Sequence, residues 1–180
     1  MKGEIQKEIA FPSGVTVQLE GSMLTVKGPK GTVQRNFLYP KVMLRAESGK
    51  VFLAVAKGTK REKKVVGSFA SHIRNMVQGV QQVHEYKLKV CSGHFPMNVS
   101  ISGRDFIIKN FLGEAVPRRV TLPQGADVKV QGEEVVITSV DKELAGRVAG
   151  LIERLCRITN RDLRIFQDGC YITHKAGKAI

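Results

Sequence analysis

The chain has 180 residues, with 29 Lys and Arg against 16 Asp and Glu for a net charge of +13, and is 42% hydrophobic and 25% charged. That composition is globular and excludes global disorder, while the length suits one compact domain or two of about 90 residues. No apolar run nears the ~20 residues of a membrane span, and Met1, Lys2, Gly3 and Glu4 carry no apolar leader, so a soluble, cytoplasmic protein is expected.

The cation surplus points to a polyanionic partner, because clustered Lys and Arg gain by releasing counterions from a phosphate backbone. Residues 1–85 carry +8 and residues 86–180 carry +5, so the charge is not confined to one tail. With no Trp, three Tyr and eight Phe, contact with phosphates and folded shape is expected over a single-strand stacking platform.

In chain order, residues 11–21 read F-P-S-G-V-T-V-Q-L-E-G, two alternating strands joined at a glycine. Lys27-Gly28-Pro29-Lys30-Gly31 has the glycines of a phosphate loop, but no Ser or Thr follows either lysine and no helix opens after it. It is read as a turn with exposed lysines. Strands are expected over 42–46 and 51–56, the second with Val51, Leu53 and Val55 on one face. Thr59-Lys60-Arg61-Glu62 fits a capping box, followed by an apolar stripe of Val66, Phe69, Ala70, Ile73, Val77 and Val80. Lys60, Arg61, Lys63 and Lys64 crowd that helix start, where cations oppose the dipole. They read equally as a secondary RNA or partner contact and as a solvated basic face. The polar segment 81–85 marks a short domain boundary.

Strand patterns recur over 86–90, 98–102 and 104–110. Residues 122–132 then read L-P-Q-G-A-D-V-K-V-Q-G, which aligns with residues 11–21 without a gap: Pro12, Gly14, Val17 and Gly21 recur as Pro123, Gly125, Val128 and Gly132. This implies duplication. A helix from about Asp141 is expected to bury Leu144, Val148, Leu151, Ile152 and Leu155. Each half thus reads as strands followed by one helix, an α+β domain made twice, with an antiparallel or mixed sheet on one long helix. Arg154, Arg157, Arg161 and Arg164 step by three, four and three residues. On a continuous helix they make one guanidinium stripe matched to a run of phosphates, whereas a break at Thr159-Asn160 sends the last two elsewhere.

Catalysis has no anchor in this sequence. His72, His84, His94 and His174 lack HExxH spacing, and GxSxG, Walker and GxGxxG motifs are absent. Cys91, Cys156 and Cys170 form no CxxC pair, and Cys91-Ser92-Gly93-His94 offers two metal ligands where a structural site takes four. Asp141 with Glu143, and Glu133 with Glu134, read as a helix start and a hairpin turn. No cofactor, no metal and no enzymatic activity are expected.

Three sets of residues resemble the large-subunit ribosomal protein L6 family, in its archaeal form and its eukaryotic counterpart L9. They are the repeated P-x-G-x-x-V pattern with Val26-Lys27-Gly28-Pro29-Lys30-Gly31; Lys109-Asn110-Phe111-Leu112-Gly113-Glu114 with Pro117-Arg118-Arg119; and Arg161, Arg164, Phe166, Asp168, Gly169, Tyr171, Ile172 and Lys175. The resemblance implies two similar domains, 1–83 and 84–180, and a structural role on the ribosome near the factor-binding region and the sarcin-ricin loop. It places the main rRNA contact in the second domain, on Gly93, His94, Phe95 and Pro96, on Lys109, Asn110 and Phe111, on Arg118 and Arg119, and on the Arg161 to Lys175 segment. The partners it implies are large-subunit rRNA, neighbouring ribosomal proteins and nearby translation factors, with no membrane and no homo-oligomer. The rival readings are an RNA-processing enzyme and a free regulatory RNA-binding module.

Overall fold

Glycines at positive φ set the tight reversals of this chain. Gly21 (φ +62°), Gly103 (+61°) and Gly132 (+61°) each open a two-residue turn between paired strands, in a backbone region that costs a residue with a Cβ roughly 1–2 kcal/mol. The computed structural model describes residues 3–47 and 49–180. Met1 and Lys2, named above for the missing leader, lie outside the described residues, as does Ser48. The chain divides into two compact units, residues 1–83 and 84–180.

The first unit runs β1 (Gly3–Ala10), β2 (Thr16–Glu20), β3 (Met23–Gly28), β4 (Gly31–Asn36), β5 (Met43–Glu47), β6 (Lys50–Gly58) and α1 (Lys60–Gln81). Its two sheets, β1-β6-β5 and β2-β3-β4, both receive α1, which packs on β1, β3, β4 and β6. The alternating face of β6 (Val51, Leu53, Val55) meets the helical stripe of Val66, Ala70, Ile73, Val77 and Val80, all buried. The expected capping box is present. Thr59 caps α1, and its N–H donates to the Glu62 carboxylate at 2.8 Å. The turn Pro29-Lys30 tucks under the far end of this helix, where the Lys30 N–H donates to the Val80 carbonyl at 2.9 Å. A Cβ at Gly28 would lie 2.8 Å from that same carbonyl. The glycine there is required by close packing against the helix end.

The second unit runs β7 (His84–Cys91), β8 (Asn98–Ser102), β9 (Asp105–Lys109), a single 3-10 turn at Phe111–Gly113, β10 (Arg118–Thr121), β11 (Asp127–Gln131), β12 (Glu134–Ser139), α2 (Lys142–Leu155), β13 (Gly169–Lys175) and β14 (Lys178–Ala179). Its sheets are β10-β9-β8 and β11-β12-β7-β13-β14, and α2 packs on β7, β10, β12 and β13. Every strand pairing among the described residues is antiparallel. Among the described residues, no helix is long and apolar enough to cross a membrane.

Each half therefore packs its own helix on its own strands. The pairing order β1-β6-β5 matches β7-β12-β11, and β2-β3-β4 matches β8-β9-β10. The register expected for the duplication is corrected by this order. Residues 11–21 lead into the β2–β3 hairpin and residues 122–132 into the β11–β12 hairpin, which hold different places in the two halves. The equivalent of β2–β3 is β8–β9, so Gly21 answers to Gly103 and Val26-Lys27 to Ile108-Lys109. The misleading alignment has a physical cause. Gly14 (φ +89°) and Gly125 (+96°) share one turn geometry, as do Gly21 and Gly132. A Pro-x-Gly turn feeding a hairpin is a local solution that does not specify which strand completes the sheet.

The stripe on α2 is also corrected. Ala145, Val148, Ala149 and Ile152 are its buried residues, while Leu144, Leu151 and Leu155 are half-buried. Small side chains let this helix lie close on its sheet. A Cβ at Gly146 would stand 3.2 Å from the Tyr86 hydroxyl.

Candidate nucleic-acid interface

The second unit carries two pieces of chain that the first lacks. Where β3 and β4 are joined by two residues, β9 and β10 are separated by residues 110–117, and residues 156–180 continue past α2. In the first of these additions, Asn110 (φ +59°), Leu112 (+50°) and Gly113 (+79°) adopt left-handed backbone. This coiling drives Phe111 into the core at 1% exposure. The Asn110 amide donates to the Pro96 carbonyl at 3.0 Å, and the Phe95 ring lies 3.5 Å from where a Gly113 Cβ would stand. The 110–113 turn and the loop between β7 and β8 are thereby tied together.

Arg118 binds the same addition to the end of α2. Its guanidinium forks onto the Glu114 carboxylate at 2.7 and 2.5 Å, donates to the carbonyls of Leu155 at 2.9 Å and Arg157 at 3.0 Å, and covers the Phe111 ring at 4.1 Å. The carbonyls it takes belong to the helix end, where a cation is favoured and backbone acceptors lack partners. Hydrogen bonding to Arg118 holds the Glu114 carboxyl below the usual carboxylate range.

The arginine stripe does not form. The helix stops at Leu155 with Cys156 as its cap, before Thr159-Asn160, and Asn160 turns left-handed at φ +60°. Arg154 stays on the last turn, and Arg157, Arg161 and Arg164 leave on an irregular segment. Arg161 stacks over the Phe166 ring at 4.8 Å, and Phe166 stacks on His94 with centroids 4.6 Å apart and planes 23° off parallel. Arg164 forks onto Asp162 at 2.7 Å, yet its side chain is 87% exposed.

Asp168 anchors this stack. Its carboxylate is 3% exposed and accepts the Gly93 N–H at 2.6 Å, the His94 N–H at 3.1 Å and the His94 ring at Nδ1, 2.6 Å. Burial works to raise its pKa, but the hydrogen bonds from His94 and Gly93 together outweigh burial and hold the carboxyl below its ordinary value. The neighbouring thiols play no such part. Cys156 and Cys170 are buried, and the hydrogen-bonded contact with Cys156, together with burial, pushes the Cys170 thiol up. Among the described residues, no group of three or more His, Cys, Asp or Glu side chains is placed to hold a metal.

Two clefts flank the stack. The first, about 720 Å³, is lined by Lys89, Ser92, His94, Ile165, Gln167 and Tyr171 among others. The second, about 760 Å³, is lined by Arg154, Arg157, Leu163 and Phe166 among others. Large apolar side chains stand out in their walls: Leu163 is 64% exposed and Ile165 63%.

The structure thus gathers most residues named from the sequence into one region of the second unit, and it corrects the role of several. Phe111 is core, Asp168 holds a loop in place, Gly169 is buried, and the guanidinium of Arg118 is committed to protein partners. Gly93, His94, Phe95, Pro96, Lys109, Asn110, Arg119, Arg154, Arg157, Arg161, Arg164 and Tyr171 are exposed. Lys175 is exposed at the far end of β13, ~20 Å along the strand from Gly169. Lys60, Arg61, Lys63 and Lys64 lie exposed in the other unit. Sequence reasoning missed Lys89, Ser92, Ile165 and Gln167. Only Lys89 had a signal, because alternation along β7 puts it on the face opposite Leu88, while the others sit in irregular segments.

These features define a class: a duplicated two-domain α+β protein whose second copy carries additions with the surface chemistry of a polyanion binder. The family model for ribosomal protein L6 matches the chain twice, over residues 11–83 and 95–169, in agreement with the register set by the strands. The curated relatives include large ribosomal subunit protein uL6 of Methanocella arvoryzae, 45% identical over 98% of this chain and 100% of the relative. The uL6 proteins of Methanosarcina mazei, at 42% with the same coverage, and of Methanococcus vannielii, at 41% over 98% of this chain and 97% of the relative, are similar to the same extent. The chain belongs to the ribosomal protein L6 family.

Proposed function

We propose that this chain is a structural, non-catalytic component of the large ribosomal subunit that binds large-subunit rRNA mainly through residues 84–180. Membership of the family and the names of its relatives support the ribosomal role. The observation that carries the assignment of the interface is the Asp168–His94–Phe166–Arg161 array. It is built on chain that the duplicated scaffold does not need, exposed Arg154 and Arg157 share a cleft with its Phe166, and exposed Arg164 lies on the same segment. A rigid guanidinium loses less rotamer freedom on docking than a lysine on a flexible stem. This favours the second unit although residues 1–85 hold the larger surplus, +8 against +5. The finer reading places the protein in the cytoplasm, on the ribosome near the factor-binding region and the sarcin-ricin loop. Neighbouring ribosomal proteins and translation factors lie within reach there, and Lys60, Arg61, Lys63 and Lys64 form a secondary contact.

Two charge-removal variants test the assignment: Arg157, Arg161 and Arg164 to Gln in one, Lys60, Arg61 and Lys63 to Gln in the other, both checked for folding. Binding to a transcript of the sarcin-ricin region is measured across a salt series. The first variant should lose more affinity and lower the log–log salt slope by about one unit per lost phosphate contact. A larger loss in the second variant reverses the assignment. Retention on large subunits through high-salt sedimentation separates a structural component from a processing enzyme or a free regulator.

A further inference from the structure

We infer that the cleft beside His94 receives one unstacked nucleotide of the bound RNA, its base laid on the His94 ring and its phosphate held by Lys89. This rests on the RNA-binding reading above and goes beyond phosphate contact alone. The open cleft measures about 720 Å³, within the ~300–1,000 Å³ of small-ligand sites, a size for a single nucleotide and not for a helix. Phe166 covers one face of the His94 ring, and Phe166 lines the second cleft and not this one. The face of the ring that Phe166 leaves uncovered is the one we assign to a base in the cleft that His94 lines. Asp168 already fixes that ring through Nδ1, so stacking a base on it costs little further rotamer entropy.

The remaining walls supply what a nucleotide needs. Ile165, 63% exposed, gives an apolar surface. The Gln167 amide uses Nε2 on the Arg164 carbonyl at 3.2 Å, which leaves its oxygen as an acceptor; the Ser92 hydroxyl adds a rotatable donor, and the Tyr171 hydroxyl, which donates to the Asp168 carbonyl at 3.5 Å, keeps its oxygen as an acceptor. Such groups read the edge of a base that has left its stack, the usual target of sequence-specific RNA contacts. The β7–β13 ladder sets Lys89 directly opposite Tyr171, which puts a cation on the same face as these donors.

The test uses the full chain and a transcript of the sarcin-ricin region of an archaeal large-subunit rRNA, with affinity measured across a salt series and folding checked by circular dichroism. His94→Ala should weaken binding roughly five- to a hundredfold, as loss of one base stack does, with the salt slope unchanged because no phosphate contact is removed. His94→Phe, which keeps a flat face but not the Asp168 bond, should bind within about threefold of the parent protein. Gln167→Ala, at an exposed position, should expose to chemical probing one base that the parent protein protects. The proposal fails if His94→Phe is as weak as His94→Ala, which reduces His94 to an anchor for Asp168. It fails also if the slope falls with the affinity, or if the parent protein protects no base whose protection Gln167→Ala removes. Absence of steep salt-dependent binding by the parent protein instead removes the RNA reading itself.

Discussion

Asp168 shows how one buried side chain organises a surface. Its two oxygens hold Gly93 and His94 in place, and through His94 they fix Phe166 and Arg161. Because its folded pKa lies below the ordinary value, its contribution is complete above the unfolded pKa and is lost as pH falls through the folded one. We expect the Gly93 and His94 amide resonances to lose exchange protection only once acid takes the pH below the ordinary Asp value of about 3.9 and through the lower folded one, and Asp168→Asn to lose it at neutral pH, at a cost of about 1–3 kcal/mol. Glu62 behaves similarly in the first unit. The Thr59 hydroxyl and N–H hold its carboxyl down to about 2, so the α1 start is stabilised above the unfolded pKa of about 4.3 and released as acid approaches the folded value. Thermal unfolding should show Glu62→Gln closer to the parent protein at pH 2.5 than at pH 6. Thr59→Ala should cost about 1 kcal/mol at neutral pH.

At the scale of elements, the end of α2 decides what the arginines can do. The helix stops where the Arg118 fork captures the carbonyls of Leu155 and Arg157, and the next residues wrap toward the β7–β8 loop instead of extending a stripe. Arg118 therefore acts as a clamp between the 110–117 addition and the helix. Replacing it with Gln leaves Glu114 and two carbonyls without their partner. We expect Arg118→Gln to destabilise the second unit by about 2–3 kcal/mol, while the salt slope of RNA binding by the folded variant stays within half a unit of the parent. A slope reduced by a full unit would move Arg118 back among the phosphate contacts. The same comparison explains why α1 has no such end. It runs 22 residues to Gln81 and closes on the Lys30 N–H from the β3–β4 turn, with no added chain to position.

Across the whole molecule, a duplicated scaffold bears additions that are not duplicated. Matching strand orders serve as the common core, and the second copy's additions carry the loop, the stack and both flanking clefts. Net charge alone selects the other half from the one we propose, because charge spread over a surface gives non-specific attraction whereas fixed geometry gives a binding mode. Since residues 84–180 hold their own core and helix, we expect a polypeptide of these residues to fold and to bind the rRNA transcript within about tenfold of the full chain. Residues 1–83 alone should bind at least a hundredfold more weakly at physiological salt. Both comparisons are made by filter binding, and equal affinity of the two fragments would place the interface on both units.

Local order was legible before any coordinates. The capping box at Thr59, the buried face of β6, the glycine turns and the α+β class follow from short-range sterics and from the 2.0 and 3.6 periodicities, which involve only neighbours in sequence. Strands β1, β4, β10, β13 and β14 were not anticipated. Four of them, with polar or mixed sequences such as GEIQKEIA and GTVQRN, are strands because a partner supplies their hydrogen bonds; GCYITHK of β13 alternates no more clearly. The register of the duplication is not readable locally for the same reason, since a hairpin's turn carries no information on its outer partner. The arginine spacing leaves open a helical stripe or a break at Thr159-Asn160; the helix ends earlier still, at Leu155, whose carbonyl is taken by Arg118, 37 residues upstream. Composition and motifs determined that this is a basic, duplicated protein of the L6 type. Contacts between residues far apart in sequence, of which Asp168 with Gly93 and His94 is the clearest, decided which of its cations and rings share one surface.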